Sequence, residues 1–170
     1  MFDLWCQLLQ QDNKRILWLL CEQPHIQQRL WQEAIHRGVD PRRIVFTQHL
    51  PTQQHLNRIR QVDLVVDTYP YGGHTLTSDA LWAGTPVVAM MGETFASRVA
   101  ASVLMDVGMG ELVAHDETGY VRIADVLLSK SEQQTFLSHY LESWRRKFKI
   151  FDLENYAFRL EKFVLSVSED

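Results

Sequence analysis

Cysteine is scarce in this chain: Cys6 and Cys21 are all there are, in separate segments, without a CxxC pair or a histidine at ligand spacing. That excludes a disulfide framework and argues against zinc, leaving two buried thiols as the simplest reading. Positive charge is also scarce. Lys and Arg number 17 against 21 Asp and Glu, for a formal net charge of -4. A phosphate backbone needs a basic face, so a nucleic-acid partner is not expected. The densest cationic run, Arg145-Arg146-Lys147 with Lys149, is interleaved with Trp144 and Phe148 and reads as a solvated helix face. No apolar run approaches the roughly 20 residues of a membrane helix. Phe2 to Leu9 is too short for a secretory signal and is followed by polar residues, so a cytoplasmic protein without a membrane partner is expected. The usual nucleotide signatures are missing, both GxGxxG after the first strand and GxxxxGK[ST] anywhere. His49, His55, His74 and His115 make no HxH or HExxH pairing, so no metal and no cofactor is expected. Internal repeats and low-complexity linkers are absent too.

What remains is one domain's worth of apolar residues, 46% of 170 positions, arranged as short strand-like runs between helical patterns. The strands are expected at Ile16 to Leu20, Ile44 to Thr47, Leu64 to Asp67, Val87 to Met90 and Glu111 to Ala114. Each is a nearly unbroken apolar run, which implies burial on both faces. Helical faces between them carry Ile26, Leu30, Ala34 and Ile35, then Val99, Val103 and Leu104. This alternation predicts an α/β domain, a doubly wound Rossmann-like parallel sheet of about five strands, over residues 1–115. Residues 116–170 continue the same lobe as helices, expected at 118–128, 132–148 and 153–167. Their stripes, Phe136, Tyr140, Leu141, Trp144 and Phe148, then Tyr156, Leu160, Phe163, Val164 and Val167, read as core.

The most informative stretch is Asp63 to Trp82, a buried strand, a glycine turn and a helix whose first turn is rich in hydroxyls. Helix starts leave backbone N–H groups unpaired and carry partial positive charge, so this junction suits an anion such as phosphate. Gly72 and Gly73 allow close approach of the main chain, while Thr75, Thr77 and Ser78 can cap the helix or meet phosphate oxygens. In a doubly wound sheet the ligand lies beyond the carboxyl ends of the strands. The loops 48–55, 68–73 and 91–94 should therefore share one rim, with His55, His74, Asp79 and Glu93 around a crevice. Glu93 and Arg98 are expected to pair across the last of these loops.

Leu64-Val65-Val66-Asp67-Thr68, Gly73-His74-Thr75, Asp79 to Pro86 and Gly92 to Ser102 together resemble the donor half of the O-linked N-acetylglucosamine transferase family. The likeness extends upstream to Pro51, His55, Trp5 and Leu17 to Leu20, and more weakly to the C-terminal helices. It implies the C-terminal half of a GT-B fold, the lobe that holds the nucleotide of an inverting transferase. Such enzymes move N-acetylglucosamine, or a related sugar, from a UDP-sugar to Ser or Thr of proteins, usually behind tetratricopeptide repeats. The resemblance puts Gly73, His74 and Thr75 at the diphosphate, His55 against the uracil with main chain at Leu50 and Pro51, and Asp79 on the ribose. Thr52 and Leu76 depart from the family, which carries a Lys and a second Thr there. If each made a charged hydrogen bond, their loss weakens diphosphate binding by about 1 to 3 kcal/mol. The family's catalytic Lys follows an additional strand that the resemblance places ahead of Met1. No catalytic residue and no turnover are therefore expected of this chain alone. Plant relatives with similar donor motifs transfer fucose from a GDP-sugar, so the base is an inference from His55 and its loop. Partners in the full enzyme would be the acceptor lobe, the repeats and protein acceptors. The alternative is a non-catalytic module that binds a nucleotide or a protein, with self-association through exposed surfaces.

Overall fold

In the computed structural model, which describes residues 1–167, five short parallel strands alternate with helices as the apolar pattern predicts. The order is α1 (Phe2–Gln11), β1 (Leu17–Leu20), α2 (Pro24–His36), β2 (Ile44–Thr47), α3 (Thr52–Ile59), β3 (Val65–Val66), α4 (Thr75–Ala83), β4 (Val87–Met90), α5 (Val99–Asp106), β5 (Val113–Ala114), α6 (Glu117–Ser129), α7 (Ser131–Trp144) and α8 (Leu153–Val167). The strands form two hydrogen-bonded groups rather than one sheet. β1 pairs with β2, and β4 lies between β3 and β5.

β4 and β5 meet the expectation of burial on both faces, all of their residues being inside. Trp18 and Leu20 of β1 and Val45 of β2 are exposed, because this pair of strands is covered on one face only. α1 joins the two groups. Leu4 and Leu8 enter the larger core around β4, whereas Cys6 and Leu9 enter the smaller one around Leu17, Ala34 and Ile44. Trp5 and Val66 pack against both. Cys6 and Cys21 are buried free thiols, as read from the sequence, and burial raises the pKa of Cys6.

The C-terminal helices divide. Tyr120, Ala124, Leu127, Leu141 and Phe148 belong to the larger core, so α6 and α7 complete the layer against the sheet. α7 ends at Trp144, and the basic run continues as a short 3-10 turn. Phe136 and Trp144 are exposed. The stripe on α8 was expected to be core and is not: Tyr156, Leu160, Phe163, Val164 and Val167 are all exposed, and no residue of α8 is buried. Periodicity identified the helix and its apolar face correctly, but amphipathicity says nothing about whether a partner is present. No helix among the described residues is long and apolar enough to cross a membrane.

Candidate functional site

α4 starts at the carboxyl end of β3, where the doubly wound architecture places ligands. Its Ncap residue is His74, which makes no side-chain capping bond. The first-turn amides of Thr75, Leu76 and Thr77 have no preceding helical carbonyl to bond. The expected hydroxyl caps are absent, because Thr77 Oγ1 donates back to Gly73 O at 2.9 Å and Ser78 Oγ to His74 O at 3.4 Å. Thr75 and Leu76 stand exposed at the helix mouth. The His74 ring stacks on Tyr71, with centroids 5.3 Å apart and planes at 15°, and receives the edge of Phe95 from the loop after β4 at 6.1 Å. Its Nε2 is buried yet has no hydrogen-bond partner among the described residues. This buried polar nitrogen lies at a helix start between two exposed aromatic side chains, and the described fold leaves its bonding capacity unused.

The turn itself rests on Asp67. Gly73 N donates to Asp67 Oδ1 at 2.7 Å, and a Cβ on Gly73 would lie 2.8 Å from Thr77 Oγ1 and 3.0 Å from Asp67 Oδ1. Glycine is thus required here by the protein's own groups. Burial raises the pKa of the Asp67 carboxyl, while the backbone amides of Gly73 and Thr68 and, least, His74 pull the other way.

The other expected residues lie on α3 and the second turn of α4. Leu50 and Pro51 form the exposed entry to α3, Thr52 opens that helix, and His55 is half-buried on its first turns, with His55 N donating to Pro51 O. Arg58 donates from one guanidinium nitrogen to Gln48 O at 2.8 Å and from the other to His55 Nδ1 at 3.1 Å. Since Arg cannot accept, Nδ1 must be the unprotonated nitrogen, which puts the ring proton on Nε2. Asp79 is half-buried, and its carboxylate bonds to no described residue. Glu93 is exposed, and the expected Glu93–Arg98 pair does not form, because Arg98 instead donates to Gly92 O at 3.0 Å. Among the described residues, no three His, Cys, Asp or Glu side chains gather as metal ligands would.

Several participants escaped the sequence reading. Asp67 counted only as the end of a strand, although a lone carboxylate closing an apolar run was a usable signal. Tyr71 and Phe95 carried no signal, since nothing in their spacing brings them to His74. Residues 1–160 match the family described as Glycosyl transferase family 41.

The chain belongs to glycosyl transferase family 41.

Among its relatives, this family 41 chain is 35% identical over 159 residues to the UDP-N-acetylglucosamine–peptide N-acetylglucosaminyltransferase of Caenorhabditis elegans, covering 94% of this chain and 14% of that protein. It is 31% identical over 162 residues to a probable enzyme of the same name from Arabidopsis thaliana, covering 94% and 16%. A solved structure of a mutant of Thermobaculum terrenum O-GlcNAc transferase superposes with a TM-score of 0.89 at 30% identity, over 96% of this chain and 32% of that one. The fold is accordingly a Rossmann-like half of a GT-B glycosyltransferase. The chain spans about a seventh of the curated relatives' length.

Proposed function

We propose that this chain is the donor-binding lobe of a transferase that moves N-acetylglucosamine from UDP-N-acetylglucosamine to Ser or Thr of proteins, with the UDP held at the start of α4. The observation that carries the reading is the unpartnered, buried Nε2 of His74 beside the free first-turn amides. In this reading His74 and Thr75 meet the diphosphate, where negative charge grows as UDP departs. Oriented N–H groups and the positive end of a helix stabilise such charge without reorganising. His55, oriented by Arg58, offers a flat face to the uracil, and the main chain at Leu50 and Pro51 faces the base edge. The unclaimed carboxylate of Asp79 accepts the ribose hydroxyl protons. Thr52 and Leu76 supply neither the cation nor the hydroxyl found in relatives, so affinity rests on the helix start and on stacking.

Calorimetric titration with UDP, with GDP as control, tests this. UDP should bind in preference to GDP, and His74→Ala should weaken binding about tenfold or more, the scale of one hydrogen bond to a charged group. Equal binding by the variant would remove the nucleotide from this helix start. A second reading is favoured by one observation, the wholly exposed apolar face of α8. It makes the chain an interaction module whose nucleotide chemistry is secondary.

A further inference from the structure

The turn that presents His74 is tied to two distant helices through one buried residue, Asp67. Trp5 Nε1 on α1 donates to Tyr120 Oη on α6 at 3.2 Å, and Tyr120 Oη donates in turn to the main-chain oxygen of Asp67 at 2.7 Å. Asp67 N donates to Val88 O at 2.9 Å, which anchors the same residue to β4. Its side chain then turns back to accept from Gly73 N. Asp67 is thus held by its own backbone from two sides, while its carboxylate closes the loop 68–73. That loop is braced further by Thr68 Oγ1 donating to Tyr71 O at 2.6 Å and Gly72 N donating to Ala96 O at 3.0 Å.

A carboxylate in this position is not chosen for the charge of the site. It is buried, and it sits just behind a helix start read above as an anion site, where a second negative charge opposes the ligand. An asparagine would accept the same bond without that cost, so the value of the residue lies in where its acceptor oxygen stands. We propose that Asp67 is a positioning residue: with its backbone held by Tyr120 and by β4, its Oδ1 sets the Gly72–Gly73 turn and so aims the ring of His74 and the first amides of α4. The link to nucleotide rests on the donor-lobe reading; the link to the turn does not.

The 170-residue chain is compared with Asp67→Ala, Asp67→Asn and Tyr120→Phe by two measurements. The first is solvent exchange of the Gly73 amide without ligand, and the second is titration with UDP. Asp67→Ala should speed Gly73 exchange and weaken UDP binding, each by about tenfold, as expected for loss of one bond to a charged acceptor. Asp67→Asn should restore both to within about twofold of the parent, because its amide oxygen replaces Oδ1. Tyr120→Phe keeps the ring but frees the Asp67 carbonyl, and should give a smaller loss at Gly73. Should Asp67→Ala not fold, Asp67→Glu takes its place with the same expected losses, since it keeps the charge and displaces the acceptor by one methylene. Unchanged Gly73 exchange in the Ala or Glu variant overturns the proposal, as does an Asn variant that fails as badly as Ala. If the parent does not bind UDP, the donor-lobe reading falls, and Gly73 exchange still decides whether Asp67 sets the turn.

Discussion

Asp67 shows how one residue can serve geometry at a cost in electrostatics. Burial raises its pKa above the ordinary 3.8, against the opposing pull of the Gly73 amide and His74. In the unfolded chain the carboxyl loses its proton near 3.8, and in the folded chain it does so at higher pH. Its contribution to stability is therefore fully present below 3.8 and is lost as pH rises through the folded value. Urea denaturation of the parent and Asp67→Asn across this range should show the parent gaining on the variant as pH falls from neutral. Asp3, Glu33 and Asp40, whose pKa values are lowered by Arg partners, titrate in both proteins and cancel from the difference. A difference that stays flat with pH would mean that the carboxyl is not shifted. Histidine illustrates the complementary case: His55 has its Nδ1 claimed by Arg58, while His74 leaves Nε2 unclaimed inside the protein.

At the scale of the element, α4 is defined by its two ends. The N-terminal end is left uncapped by side chains, and the C-terminal end closes on Gly84, whose φ of 92° lies in the left-handed region. Gly84 N and Thr85 N return to Leu81 O and Ala80 O, which satisfies the last carbonyls. Gly84→Ala should cost about 1 to 2 kcal/mol in backbone strain. Its Cβ would lie 3.0 Å from Cγ of Glu142, an exposed side chain that can move aside, so strain rather than a clash dominates. A thermal melt should show the midpoint falling by roughly 2 to 8 °C for a chain of this size. Gly84→Asn should fall less, because Asn tolerates the left-handed region. Equal melting of Gly84→Ala and the parent would show that this turn is free to adopt another conformation.

The whole molecule combines a well-buried centre with surfaces that bury little. β4, α4, α5, α6 and α7 supply the larger core, whereas β1, β2 and α8 leave large apolar side chains in solvent. The apolar face along α8 is exposed over its whole length, and such a face drives association. Sedimentation of the 170-residue chain should therefore depend on concentration. Replacing Leu160 and Phe163 with Glu should abolish that dependence without lowering thermal stability, since both residues are exposed. A parent that stays monomeric at high concentration would count against α8 as a sticky surface.

How much of this was legible from the chain depends on the range of the interaction involved. The strand and helix order, the α/β class and the Gly73-His74-Thr75 helix start were readable, because apolar periodicity and turn chemistry act over a few neighbouring residues. The division of the strands into two groups and the exposure of β1 were not, since hydrogen bonding between strands depends on which segments meet. Exposure of the α8 stripe was hidden for the same reason: an apolar face is a property of the helix, and its burial is a property of the partner. In the site, the sequence by itself determined the glycine turn, His74 at the Ncap and the helix start at Thr75. Tertiary structure alone decided that Asp67, 53 positions from Tyr120, would hold the turn, and that Tyr71 and Phe95 would enclose His74. Those contacts join distant parts of the chain, and only packing around one core brings them within bonding distance.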